Sequence, residues 1–149
     1  MRLTVVLLAA ACCWSCSTPP PPVEAPKDPT ADAGYGKTVE QLQALTAQAE
    51  QLVKAGRPDD AGAVVQRAQG LQAKLLSAPR PTLAAMEAAT DLDDLYGRMM
   101  LANKQYGWAR DFFQKNAVRW KAWKPATEDT EKRRKVALDK VAECEKQMQ

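Results

Sequence analysis

The chain has 149 residues, a formal net charge of +3 and no histidine. The absence of imidazole excludes Ser-His-Asp and Cys-His nucleophiles, histidine metal ligands and c-type haem attachment. Three of the four cysteines, Cys12, Cys13 and Cys16, lie near the N-terminus and not inside a domain. The composition therefore predicts no metal site, no cofactor and no catalytic residue.

The N-terminus begins with a short apolar segment behind one positive charge. Arg2 precedes the nine residues from Leu3 to Ala11, which only Thr4 interrupts. A helix that crosses a bilayer core needs about 20 apolar residues. A shorter segment followed by small residues before a cleavage point is typical of a secretory signal. We therefore predict a signal peptide over residues 1–11.

The end of this segment has a recognisable motif. Ala9-Ala10-Ala11 directly before Cys12 resembles the lipobox of bacterial lipoproteins. The resemblance implies a lipid-modified Cys12 and a location in the cell envelope, facing the periplasm, with the outer membrane as the expected site. Two or three acyl chains, at about 0.8 kcal/mol per buried methylene, would make such an anchor effectively permanent. The alternative is ordinary cleavage after Ala11 or Ser15, which would release a soluble periplasmic protein.

Residues 12–36 are predicted to be a tether because prolines dominate them. Between Ser17 and Ala33 the chain holds six prolines, four of them consecutive at Pro19–Pro22, and almost no large apolar residue. Such a run favours polyproline II, which rises about 3.1 Å per residue, so the spacer could extend roughly 50 Å. A proline-rich ligand for a partner domain is the alternative interpretation.

From residue 37 onward, apolar residues recur at helical spacing, and Gly and Pro fall at the breaks. We predict that residues 37–149 form an all-α domain of four to five antiparallel helices, arranged as hairpins or as an irregular bundle. Breaks are expected at 55–59, 78–81, 103–107 and 123–125. Asp91, Asp93 and Asp94 suggest a kink or a restart within the third helix.

Small and large apolar residues stand at similar spacing in two places. The first set is Ala49, Leu52, Gly56, Ala61, Val65 and Ala68, and part of it returns 48 residues later in Gly97, Met100, Ala109 and Phe113. The first set resembles the packing positions of a tetratricopeptide repeat, although the family's period is 34 residues. The resemblance implies TPR-like helical hairpins that present a concave surface to a peptide or protein.

Residues 104–124 combine aromatic and basic side chains. They hold six bases and one acid, whereas residues 28–95 hold ten acids and six bases. At 100° per residue, Phe112, Phe113 and Trp120 share a face, which predicts core packing for them. The candidate partner-binding residues at or beyond the edge of this face are Tyr106, Trp108, Lys115 and Arg119. In the last helix, Cys144 shares an arc with apolar residues and is expected to be buried.

The sequence predicts a binding function and not an enzyme. The carboxylate clusters Asp59-Asp60 and Asp91/Asp93/Asp94 have sufficient structural roles at helix ends. No phosphate loop, nucleophile elbow or metal-ligand spacing is present. We expect a lipid-anchored helical module that binds a protein partner in the envelope. The alternative is a binder of cell-wall glycan or anionic envelope polymer, and an exported chain of charge +3 is not expected to bind nucleic acid.

Overall fold

The computed structural model describes residues 28–149, so the signal peptide, Cys12 and most of the tether lie outside the described residues. The described part is all-helical, as predicted, and contains no strand. Its helices are α1 (Ala33–Lys54), α2 (Pro58–Leu76), α3 (Leu83–Ala102), α4 (Tyr106–Ala122) and α5 (Glu128–Gln147). None of these five helices is both long and apolar enough to cross a membrane.

Helix α1 begins at Ala33, four residues before the predicted start of the domain. The side chain of Asp32 caps it by accepting a hydrogen bond of 2.9 Å from a backbone N–H of the first turn. Tyr35 is buried, and its hydroxyl donates to the carbonyl of Leu75 at the end of α2, at 3.0 Å. The last residues assigned to the tether therefore belong to the folded domain, because Tyr35 is part of its core.

The turns after α1 and α3 have the same backbone geometry. Gly56 follows α1 with φ of 70°, and Lys104 follows α3 with φ of 59°. In each turn two N–H groups reach back to carbonyls of the last helical turn at 2.9 and 3.0 Å, which is a Schellman motif. The two positions lie 48 residues apart, at the spacing of the internal similarity in the sequence. The hairpins α1–α2 and α3–α4 thus share a turn as well as packing positions.

Helix α3 is continuous from Leu83 to Ala102, so the predicted kink or restart at Asp91, Asp93 and Asp94 is wrong. These carboxylates form ion pairs with bases on other helices and do not cap a new helix. Thr82 caps the true start, where its hydroxyl accepts from a backbone N–H at 3.2 Å. The three acids therefore lie on a regular helix, with Asp91 and Asp94 on one side and Asp93 on another.

Helix α3 lies at the centre of the domain. It packs against both helices of the α1–α2 pair and against α4, and α4 in turn packs against α5. Two buried amides attach α3 to its neighbours: Gln72 of α2 donates to the carbonyl of Ala89 at 2.8 Å, and Asn116 of α4 donates to that of Thr90 at 2.9 Å. Because both amides are buried and satisfied, they fix the position of α3 as well as fill space.

The apolar core divides into two clusters along the chain. The first lies between α1, α2 and α3, and the second lies where α4 and α5 meet the end of α3. Phe113 and Trp120 are buried and Phe112 is partly buried, which agrees with the predicted core face. Cys144 is fully buried in the second cluster, as expected.

Candidate interaction surfaces

Trp108 is the most exposed large apolar side chain among the described residues, with 67% of its surface accessible. It lies in the first turn of α4 and lines a cavity of about 320 Å³ together with Tyr96, Met100 and Phe112. The predicted neighbour Tyr106 begins α4 and is partly buried. The structure thus places Trp108 at the rim of an apolar depression between α3 and α4.

Lys115 contacts the same apolar surface, because its side chain lies over Phe112. Its Nζ lies 4.9 Å from the centroid of the Phe112 ring, a cation–π distance. Phe112 in turn packs at a tilt of 55° on Tyr96, with ring centroids 4.8 Å apart. The structure therefore brings Lys115 and Trp108 together around one aromatic pair, and Lys115 forms no ion pair within residues 28–149.

Arg119 forms an ion pair inside the domain. It forms an ion pair with Asp93 of α3, whose side chain is only 5% exposed, and donates to the Oδ1 of Asn116 at 3.3 Å. A buried carboxylate requires such a pair because its desolvation is otherwise uncompensated. Among the predicted partner-binding residues, Arg119 therefore forms an ion pair that connects α4 to α3.

A second surface, which the sequence did not indicate, lies across α1, α3 and α5. Two cavities of about 260 and 270 Å³ adjoin along Asp91 and Asp94 of α3. The α1 side is lined by Gln43 and Glu50, and the α5 side includes Val136. We call this surface the α1–α3–α5 groove.

Ion pairs cross this groove from one helix to the next. Arg98 of α3 donates to Glu50 of α1 at 2.7 Å and to Asp94 at 2.9 Å. Lys140 of α5 pairs with the same Asp94. A single carboxylate on α3 thus connects bases of two helices, and the chain of charges runs from α1 to α5.

Arg133 of α5 forms a second set of ion pairs across the groove. Its guanidinium lies 3.0 Å from Asp91 and 3.2 Å from Asp129, and 3.7 Å from Glu87. It also lies over the Trp120 ring, 5.6 Å from the centroid. Arg133 thus pairs with Asp129 of its own helix and also reaches Glu87 and Asp91 of α3.

The groove changes the proton affinity of two of its residues. Desolvation raises the pKa of Asp91, and the nearby charges of Asp94 and Glu50 act in the same direction, while Arg133 opposes them. Burial disfavours the charged Arg98, but its hydrogen bonds to Glu50 and Asp94 outweigh this and raise its pKa. Arg98 is therefore held firmly as a cation, whereas ionised Asp91 is less favourable here than in water.

Cys144 and the acidic side chains are the remaining groups that could react or bind a metal. Burial raises the pKa of the Cys144 thiol, which lowers its reactivity. Within residues 28–149, no three acidic or cysteine side chains come together as a metal site. The surfaces that the structure provides are thus an apolar rim at Trp108 and a charged groove.

Comparisons with protein-family models, with curated proteins and with solved structures find no match for this chain.

Proposed function

We propose that this protein is a non-enzymatic, lipid-anchored component of the bacterial cell envelope whose helical domain binds a protein partner. The observation that carries the proposal is the α1–α3–α5 groove, where charged groups of three helices face one surface. The sequence before Cys12 supports the anchor, since it resembles a lipobox. The domain would then face the periplasm.

The lining of the groove favours an extended peptide over a small molecule. Sites for small molecules are mostly apolar. The two adjoining cavities here, of about 260 and 270 Å³, are both lined by charged side chains. A peptide that runs over Asp91 and Asp94 would contact all three helices, and its own charges could exchange with the existing ion pairs.

The acidic residues support a binding function because their charges are already matched. Asp91, Asp93 and Asp94 each contact a base from another helix, and Asp60 pairs with Arg57 at 2.7 Å beside the turn before α2. General acid–base catalysis instead needs a carboxyl group within reach of a substrate proton. These carboxylates serve the structure of the domain and the charge pattern of the groove.

The anchor is tested by Cys12→Ser in cells that make the protein. We expect this variant to move from the membrane fraction to the soluble fraction, because no acyl chain is attached. Cys13→Ser is the matched control and should stay with the membrane. Mass spectrometry of the mature N-terminus reports the lipid directly, and an unmodified terminus on the parent protein would contradict the anchor.

The groove is tested by photo-crosslinking in the full-length protein. We would replace Gln43 of α1 or Val136 of α5 with p-benzoylphenylalanine, and Gln66 of α2 as the control. All three positions are exposed, but only the first two line the groove. The same partner should crosslink from both groove positions and not from Gln66. Crosslinks that are equal at all three positions, or absent from the groove, would contradict the proposal.

A further inference from the structure

The outward face of α4 carries a stripe of apolar and charged side chains. Trp108, Asp111, Lys115, Val118 and Ala122 recur at intervals of three and four, so they lie one above another on one side of the helix. All five are exposed, Trp108 by 67% and Val118 by 54%. Two large apolar side chains, Trp108 in the first turn and Val118 in the last turns of α4, are thus exposed on one face, with Asp111 and Lys115 between them.

This stripe faces away from both the core and the groove. At 100° per residue, its centre lies about 170° from the buried side chains of Phe113 and Trp120. Trp120 and Asn116, which line one cavity of the groove, belong to that opposite side. A ligand on the α4 stripe would therefore leave the α1–α3–α5 groove open.

Unpaired bases lie in and around the stripe. Lys104, Lys115, Lys121 and Lys124 are exposed and join no ion pair formed within residues 28–149. The acid of the stripe, Asp111, is offset by a pair with its neighbour at 3.2 Å. Residues 103–149 hold twelve bases and seven acids, whereas residues 28–102 hold seven bases and ten acids. The positive half of the domain thus carries most of the exposed large apolar side chains, and Leu83 is the exception.

We propose that the α4 stripe is a membrane-docking surface for anionic phospholipid. Trp is favoured at the boundary between headgroups and acyl chains, where its ring is apolar and its N–H remains hydrated. Basic side chains around such a residue are attracted to anionic headgroups. The stripe combines both elements on a helix that lies parallel to the surface it would contact.

Exposed aliphatic side chains favour a membrane over a polysaccharide. A sugar polymer stacks on an aromatic ring but needs hydrogen-bonding side chains around that ring. Asp111 and Lys115 beside Trp108 could bond a sugar, but Val118 and Ala122 at the other end of the stripe are exposed and offer no hydrogen bond. An acyl boundary accepts these side chains, so one contact surface uses the whole stripe.

If Cys12 carries the proposed lipid, the chain before the described residues would hold the domain near a bilayer. Sixteen residues run from Cys12 to Lys27, and even a fully extended chain of that length spans at most about 56 Å. Docking by α4 does not depend on a protein partner in the groove. It also does not depend on acylation, because the stripe has its own apolar and basic groups.

To test this, the purified mature protein is mixed with phosphatidylcholine vesicles whose acyl chains are brominated. The vesicles are prepared with or without phosphatidylglycerol. Bromine quenches a tryptophan that reaches the acyl boundary, and the difference between parent and Trp108→Phe isolates the emission of Trp108. We expect quenching of Trp108 in the anionic vesicles at low salt, and its loss in high salt or without phosphatidylglycerol. Vesicle flotation in the same samples reports anchoring separately.

Two charge-matched double variants make the test specific to the stripe. Lys115→Gln with Lys121→Gln should lower the ratio of docked to undocked protein about 25-fold, since each lysine near an anionic surface contributes about fivefold. Lys37→Gln with Lys74→Gln removes the same charge from exposed positions of α1 and α2 and should change little.

Three outcomes would overturn the proposal. The first is that Trp108 stays unquenched in anionic vesicles. The second is that the Lys37/Lys74 control reduces docking as much as the Lys115/Lys121 pair. The third is that the unacylated protein sediments with isolated peptidoglycan but not with anionic vesicles, which would assign the stripe to a polymer. Normal flotation with no quenching would reject docking while leaving the lipid anchor in place.

Discussion

The ring of Phe113 on α4 lies directly against the backbone of Gly97 on α3. A Cβ atom at Gly97 would stand 2.7 Å from Cε1 and 2.8 Å from Cζ of that ring, which is too close for any side chain. The missing side chain therefore allows Phe113 to fill the second core cluster. This contact explains why glycine lies inside a regular helix, where it is otherwise unfavourable.

Gly97→Ala should lower the free energy of unfolding by about 1–2 kcal/mol, because overpacking outweighs the gain in helix propensity. Urea unfolding measures the change. Gly70→Ala is the matched control within α2, since nothing lies within 4 Å of its Cβ position, and it should raise stability by about 0.5–1 kcal/mol. Phe113→Leu in the Gly97→Ala background should recover part of the loss. Equal effects of the two glycine substitutions would contradict the packing argument.

Arg119→Met should destabilise the domain by about 3 kcal/mol, because it leaves the buried carboxylate of Asp93 without its partner. Arg110→Met is the matched control, since the Arg110–Asp111 pair is exposed and worth less than about 1 kcal/mol. Adding Asp93→Asn to Arg119→Met should restore part of the stability. Thermal unfolding of the parent and the three variants tests this, and equal losses for the two arginine substitutions would refute it.

Lys104→Gly should stabilise the protein by about 0.5–1 kcal/mol. Lys104 has a positive φ of 59°, a conformation that costs an L-residue about 1 kcal/mol and glycine nearly nothing. The reverse test is Gly56→Ala in the equivalent turn, where φ is 70°, and this should destabilise by a similar amount. Chemical denaturation of both variants measures the two changes in the free energy of unfolding. A loss of stability in Lys104→Gly would show that its side chain contributes more than the strain costs.

Asp91→Asn should be neutral or slightly stabilising at neutral pH, by less than about 1 kcal/mol after solvent screening. The pKa of Asp91 is raised in the folded protein, so its ionised form costs stability above that pKa. The cost disappears as the pH falls and the carboxyl is protonated, and the advantage of Asn should disappear with it. Arg133 keeps other acidic partners in the variant. Unfolding curves of the parent and Asp91→Asn at neutral and acid pH measure the sign of the stability difference. If Asp91→Asn stays more stable than the parent in acid, the raised pKa of Asp91 is not the cause.

Local signals in the sequence were sufficient for the secondary structure. Gly56 and Pro58 mark the first turn, and α5 begins after Thr127, which forms a capping box with Thr130. Helical periodicity also predicted the burial of Phe113. These features depend on residues within one or two turns of each other, and so they can be read along the chain.

The same local signals failed where a distant residue decides the structure. Asp93 resembles a helix-restart residue in the sequence, yet its partner Arg119 lies 26 positions further on, on another helix. Tyr35 follows a proline-rich segment and was assigned to the tether, but it bonds to Leu75. Nothing near these residues in the chain indicates the contact.

The sequence by itself determined the helical class, the positions of the turns and the buried face of α4, because periodicity and turn chemistry are local properties. It also carries the prediction of the anchor at Cys12, which stays a prediction. Only the tertiary structure decided that α3 is the central helix, that Arg119 is internal and that charges of α1, α3 and α5 form one groove. The physical reason is that an ion pair such as Arg98 with Glu50 depends on how helices pack, and packing brings together residues 48 positions apart.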